Sequence, residues 1–315
     1  MFNAEKFIEQ EIKKLREEIK GKAIIAASGG VDSTVCAALV NKAIGERLLA
    51  VYVDTGFMRK GETESVDEML ERLGVNHIVV DASDEYFAAL KGVTDPETKR
   101  KIIGEKFIRV FEREAKKFGA EYLVQGTIAP DWIESGGGLR DTIKSHHNVG
   151  GLPKDMNLRL IEPLRDLYKD EVRKVGRALK IEVAEKQPFP GPALAIRVMG
   201  EPTRESIAVI REACAIVEEE IEKASAAGKM KLPWQYFAVL LPVRSVGVQG
   251  DIRAYGYTIV IRAVDSVDAM TANYSKIPHD VLEAISSRIT NKMKDKVNRV
   301  VYDVTNKPPA TIEWE

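Results

Sequence analysis

Charge of either sign is not in excess. Over 315 residues, 47 Lys and Arg stand against 48 Asp and Glu, a net charge of −1. A surface without global bias gives no footing for nucleic acid or an anionic membrane, so any phosphate handling must come from local clusters. Long apolar runs are absent too: none approaches the ~18–20 residues that a membrane-crossing helix needs. Residues 1–20 are charged throughout and lack the apolar centre of a signal peptide, so a cytoplasmic location is expected. Cysteine is scarce. Cys36 and Cys214 form no metal spacing and no Cys-x-x-Cys, and neither sits between the glycines of a nucleophile elbow. Both read as small buried side chains, and no Cys-His glutaminase is expected in the chain. Gly-Lys-Ser/Thr does not occur, which excludes a Walker A loop. No G-x-G-x-x-G follows a strand, which excludes the dinucleotide fingerprint. Internal repeats and low-complexity tracts are missing as well.

What is present centres on residues 22–34. A short run of small apolar residues, Ala23 to Ala27, reads as a buried strand. Ser28-Gly29-Gly30 breaks it, and Val31, Val35, Ala38 and Leu39 then recur at helical spacing. A strand–loop–helix junction of this kind aims unpaired N–H groups and the positive end of a helix dipole at one spot, which suits an anion. Gly29 and Gly30 carry no Cβ, so backbone can approach a phosphate and φ > 0 is allowed. Ser28, Ser33 and Thr34 add hydroxyl donors. Asp32 is the odd member, because a carboxylate repels phosphate. It either caps the helix or meets phosphates through a divalent cation. The alternative is an ordinary turn, with glycine for shape and Ser/Asp for capping.

Further along, strands at residues 48–53, 76–81, 122–125 and 160–163 alternate with helices near 62–73, 96–118 and 167–179, after an amphipathic first helix at 3–20. That alternation predicts an α/β fold, a parallel doubly wound sheet with both faces covered. Ligands in such folds lie beyond the carboxyl ends of the strands, where Ser28, Asp54, Gly126 and Glu162 fall. Residues 129–157 interrupt the pattern with Gly136-Gly137-Gly138, Gly150-Gly151 and few apolar residues, the composition of a functional lid. Gln187-Pro188-Phe189-Pro190-Gly191-Pro192 is too proline-rich for a helix or central strand and marks a boundary. Residues 1–186 are thus expected to form one domain. Residues 187–315 form a smaller α+β domain with a mostly antiparallel sheet, its strands at 194–198, 236–241, 257–264 and 299–303 and its helices at 203–225 and 278–293.

Within the lid, Lys144, His146 and His147 sit together in Lys144-Ser145-His146-His147-Asn148. Adjacent histidines diverge, so separate hydrogen bonds suit them better than a shared metal. A lysine and two imidazoles near a phosphate-binding crevice would neutralise charge building on a phosphate during transfer, against the alternative of a solvated polar loop. Asp131 and Glu134, three apart, share a face over one helical turn and orient the lid or hold a cation, against the alternative of a capping pair. His77 and His279, isolated, read as structural.

The run Ser28-Gly29-Gly30-Val31-Asp32-Ser33 resembles the pyrophosphate-binding loop of the N-type ATP pyrophosphatases. A more specific resemblance, to the synthetase part of the GMP synthase family, is carried by Val53-Asp54-Thr55-Gly56, residues 99–104, Gln125-Gly126-Thr127, residues 143–152, Pro188 to Pro192, residues 244–251 and residues 307–315, in that order. The resemblance implies an adenine nucleotide alpha hydrolase-like sheet with a smaller C-terminal dimerisation domain. It implies that ATP, with Mg²⁺, adenylates the C2 oxygen of xanthosine 5′-monophosphate (XMP), and that ammonia displaces AMP to give GMP. By the match, Ser28, Gly29, Gly30, Val31, Asp32, Ser33 and Thr34 hold the pyrophosphate end of ATP, with Asp32 at the metal. Val53 and Gly126 lie along the nucleoside. Lys144, His146 and His147 serve adenyl transfer, and Asp131 and Glu134 match lid-base carboxylates. Asp251, Lys307 and Glu313 grip the XMP base and phosphate. Many members carry an N-terminal glutaminase domain. This chain starts just before the ATP loop, which implies the separate-subunit form supplied with ammonia by a glutamine amidotransferase subunit. The family also implies a homodimer, for which Ile259, Ile261 and Ala263 offer either a surface or a core. Rival readings keep the loop and change the acceptor (a tRNA sulfur-transferase, an NAD synthetase, an argininosuccinate-type ligase) or drop catalysis for nucleotide sensing.

Overall fold

The computed structural model describes residues 2–134, 158–182, 187–249, 251–267 and 269–315. Two compact units emerge. One comprises Met1–Thr55, Gly61–Ala82 and Gly104–Glu185; the other comprises Gly56–Lys60, Ser83–Ile103 and Lys186–Glu315.

The first unit is built on five parallel strands: β1 (Ala23–Ala26), β2 (Leu48–Asp54), β3 (His77–Asp81), β4 (Tyr122–Val124) and β5 (Arg159–Ile161). Their order is β3-β2-β1-β4-β5. β1 and most of β2 are buried, as strands covered on both faces must be. The order reverses between β1 and β4. α1 (Ala4–Glu18) starts at an Asn3 cap whose side chain accepts from the Lys6 N–H at 2.9 Å, and it packs on α2 (Val31–Ile44) and α7 (Lys169–Ala178). Thr34 to Val40 are buried without interruption, because α2 is covered by those helices as well as by the sheet. α3 (Glu62–Arg72), most of α5 (Pro96–Phe118) and α6 (Ala129–Glu134) complete the unit.

The second unit carries a mixed sheet. β6 (Gln235–Gln249) and β7 (Ile252–Asp265) form a long antiparallel hairpin, β8 (Asn273–Tyr274) pairs antiparallel with the end of β7, and β9 (Val297–Tyr302) pairs parallel with it. α8 (Arg204–Ala226) packs on β6 and α9 (His279–Lys292), and α4 (Ser83–Ala89) belongs to this unit.

Two expectations change here, and one open alternative closes. Residues 193–197 form a 3₁₀ helix, not a strand. Ala193 has φ 54°, and all five residues are buried, so this apolar run encodes burial, which a strand and a 3₁₀ helix share. The hairpin extends far beyond residues 236–241 and 257–264. Its register shifts between Leu241 and Arg244, where Pro242 cannot donate to the ladder, and the outer arm is exposed, so no one-sided apolar alternation marks it. Ile259, Ile261 and Ala263 are buried core residues; the exposed large apolar side chains of the hairpin are Val243, Val246, Val248, Ile252 and Tyr255.

Buried cations organise this unit. Arg262 is fully buried and donates to the carbonyls of Thr305 (2.6 Å) and Thr311 (2.9 Å), with Asp303 at 3.2 Å. Lys99, also fully buried, donates to the Val198 carbonyl at 2.7 Å and to the Glu315 carboxylate. Burial moves both members of that pair toward their neutral forms, Lys99 down and Glu315 up, while their mutual attraction opposes it. Removing one partner leaves a buried charge alone. Lys99→Met should therefore cost on the order of 3 kcal/mol in denaturant unfolding, and Lys99→Met with Glu315→Gln should recover most of it.

Candidate active site

The β1–β4 switch point is where an open α/β sheet leaves a crevice. There Gly29 adopts φ 72°, and a Cβ on it would stand 2.6 Å from the Val66 side chain. Gly30 has φ −78°, caps α2 and makes no side-chain cap bond. The left-handed requirement thus falls on Gly29 alone. Gly30 leaves the first turn of α2 without a side-chain cap, open to an anion. The hydroxyls fix the loop. Ser28 Oγ and Ser33 Oγ lie 2.9 Å apart, Ser33 Oγ donates to the Gly30 carbonyl at 3.1 Å, and Thr34 Oγ1 does so at 2.8 Å. From the β4 side, Gly126 presses on the same turn: a Cβ there would meet the Asp32 carbonyl at 3.2 Å and the Ser33 nitrogen at 3.3 Å.

Asp32 Oδ1 is buried and makes no hydrogen bond among the described residues; Oδ2 lies 4.0 Å from Lys169 Nζ. Burial pushes the Asp32 carboxyl above its ordinary range, Lys169 opposes the rise and Asp131 adds to it. Asp131 accepts from the Ile128 N–H at 3.0 Å through Oδ2, capping α6. A partnerless carboxylate oxygen beside a second carboxylate and an anion-binding turn suits a hard divalent cation such as Mg²⁺. Among the described residues no three His, Cys, Asp or Glu side chains cluster into a cage, so such a cation would take phosphate and water oxygens as well.

Val53 is buried in β2. Asp54 accepts from Thr63 Oγ1 at 2.8 Å, and Glu162 pairs with Arg165 at 2.8 Å, so both strand-end carboxylates have protein partners. Lys144, His146 and His147 lie outside the described residues, as does the side chain of Glu134 at the end of α6. His77 bonds the Val75 carbonyl and Asp67, a structural role. In the second unit Asp251 is exposed at the turn between β6 and β7, Lys307 Nζ donates to the Ala269 carbonyl at 2.8 Å, and Glu313 is paired with Arg197. No hydrogen bond or ion pair joins these three to one another among the described residues. Lys169 was not foreseen. Its signal was a cation at a helix start, where the dipole disfavours one.

Comparison with known proteins settles the family. The model for the GMP synthase C terminal domain matches residues 219–314, and the NAD synthase model matches residues 1–113. One subunit of the glutamine-hydrolyzing GMP synthase of Pyrococcus furiosus is 61% identical over 315 residues, spanning 99% of this chain and 97% of that one. The chain belongs to the GMP synthase family. The corresponding GMP synthase subunit of Methanopyrus kandleri is 59% identical over 319 residues and covers 100% of both chains. The glutamine-hydrolyzing GMP synthase of Geobacillus kaustophilus is a longer relative: 56% identity over 316 residues covers 99% of this chain and 61% of that protein. A solved NMN synthetase from Francisella tularensis aligns with a TM-score of 0.47 at 17% identity, over 61% of this chain and 78% of that one.

Three substitutions separate shape from chemistry at the loop. Gly29→Ala should cost about 1–2 kcal/mol through its φ alone, and more through the Val66 contact, whereas Gly30→Ala, with no φ penalty and a Cβ 3.3 Å from Ser28 Oγ, should cost less. Asp32→Asn should lower ATP turnover by on the order of 10² while the melting temperature holds or rises. The sign follows from the raised carboxyl. Ionised Asp32 disfavours the fold, so the stability gain of Asn is full above the raised folded-state pKa, declines as pH falls from it and vanishes below the ordinary carboxylate range.

Proposed function

We propose that the chain is the synthetase subunit that aminates XMP to GMP at the cost of ATP, a ligase forming a C–N bond. The C2 oxygen of XMP attacks the α-phosphorus of ATP, and the bond to the β-phosphate bridging oxygen breaks, releasing pyrophosphate. Ammonia then adds at C2, and AMP leaves with that oxygen as a proton is lost. The observation that carries this reading is the nest at residues 28–34, where left-handed Gly29, an uncapped helix start and a partnerless Asp32 oxygen coincide.

In this reading the amides and hydroxyls of Ser28 to Thr34 hold the departing pyrophosphate, and Val53 and Gly126 line the nucleoside. Asp32 would hold Mg²⁺, which supplies charge neutralisation between phosphate oxygens when bound. Asp131, through its cap on Ile128, and Glu134 would set the base of the lid. Lys144, His146 and His147 would stabilise charge on the α-phosphate during transfer. Asp251, Lys307 and Glu313 would bind XMP. Lys307 is a compact cation suited to a 5′-phosphate, and the carboxylates suit purine N–H or ribose hydroxyl groups.

The separate-subunit form of the enzyme works with a glutaminase subunit, the source of ammonia from glutamine. A homodimer belongs to the same reading, and the outer hairpin arm is its best surface: Val248 is 75% and Ile252 74% exposed. So does a cytoplasmic location; no helix among the described residues is long and apolar enough to cross a membrane.

With ATP, Mg²⁺, XMP and ammonium the chain should form AMP and GMP in equal amounts, and with glutamine in place of ammonium it should form none until the glutaminase subunit is added. AMP release with another acceptor but not XMP would favour the rival ligases, and binding without turnover would favour a sensor. Lys144→Ala should depress kcat far more than ATP affinity, since its contact strengthens in the transition state. Ile252→Asp should shift sedimentation toward a monomer if the arm forms the dimer; an unchanged mass would move the interface elsewhere.

A further inference from the structure

Arg197 is wholly buried, yet none of the roles above uses it. Its guanidinium lies over the rings of Phe237 (4.1 Å) and Phe189 (5.0 Å). Phe189 comes from the proline-rich run that follows the first unit. The fork engages one carboxylate in two places: Nε donates to Glu313 Oε2 at 3.2 Å and Nη2 to Glu313 Oε1 at 2.9 Å. Gln235 Nε2 adds a third donor, 2.8 Å from Oε1, while also bonding the Pro188 carbonyl at 3.1 Å.

An ionised carboxylate has about four lone-pair sites. Two donors fill Oε1 and one fills half of Oε2, which leaves one acceptor direction on Oε2. The Glu313 side chain keeps 18% exposure, so the clamp fixes the carboxylate plane without sealing it from solvent. A lysine at 197 would keep the charge but lose both the paired bonds and the flat stacking surface.

We infer that Arg197 is a positioning residue for the acceptor: clamped between Phe189 and Phe237, it orients Glu313 so that the remaining Oε2 lone pair accepts from a purine ring N–H flanking the C2 oxygen. This rests on the reading that Glu313 binds the XMP base. It adds a reason for the buried arginine and for the aromatic residue in the proline-rich run. It also gives a basis for selecting a base that carries ring N–H groups over one, such as adenine, that does not.

The test is steady-state kinetics of the full chain with ammonium as nitrogen source, alongside melting temperatures. Glu313→Gln should raise KM for XMP about tenfold or more. Arg197→Lys should raise it by a similar factor while KM for ATP stays within about twofold, because the ion pair's geometry and not the ATP loop is altered. Phe189→Leu keeps the ion pair and removes one stacking face, so it should give a smaller rise, and it decides the matter if Arg197→Lys fails to fold. If Glu313→Gln leaves KM for XMP unchanged, Glu313 does not bind the acceptor and the inference falls with that reading. If Glu313→Gln raises KM while the foldable Arg197 and Phe189 variants do not, Glu313 binds the acceptor but Arg197 merely packs, and the inference alone is overturned.

Discussion

Everything in the first unit depends on where α2 begins. The helix is buried from Thr34 to Val40 by α1, α7 and the sheet, so it cannot shift along its axis without exposing core. Its first turn is thereby held at the β1–β4 junction, between the left-handed Gly29 and the closely packed Gly126. Packing, not the loop itself, aims these uncapped amides. Asp32 is the exception in a site shaped for anions. One of its oxygens has no partner among the described residues and burial raises its carboxyl, which fits the proposed role of Asp32 at a cation.

The second unit solves a different problem. Residues 305–315 form no regular helix or strand, and such a segment needs its carbonyls and carboxylates satisfied some other way. Arg262 does this for carbonyls, and Lys99 and Arg197 do it for Glu315 and Glu313. Trp314 adds a bond from Nε1 to Asp303 at 3.0 Å. Buried cations are expensive in isolation, and each here has a carboxylate partner. Such an arrangement favours one geometry of the segment over many, which suits residues proposed to read a base.

Much of the architecture was legible from periodicity. The expected helix at 96–118 is α5 (Pro96–Phe118), because Asp95 caps it: Asp95 Oδ2 accepts from the Thr98 N–H at 2.8 Å. The parallel strands were legible because continuous apolar runs between helices have few other uses. Two misses had two causes. Residues 194–198 are apolar for burial, and burial alone does not distinguish strand from 3₁₀ helix; for the same reason residues 259–263 read equally as core or interface until the structure placed them in the core. The outer arm of β6 and β7 was missed because exposed faces impose no apolar rhythm.

The amino-acid order by itself determined a strand–loop–helix junction at residues 23–39, because a small apolar run, two glycines and then helical spacing have few other uses, and its wider motifs pointed to the family. Tertiary structure decided which glycine must be left-handed, which oxygen of Asp32 lacks a partner, and that Arg197, over a hundred positions from Glu313 in the chain, seats it. Those facts depend on distances between segments remote in sequence, and local propensity carries no information about such distances.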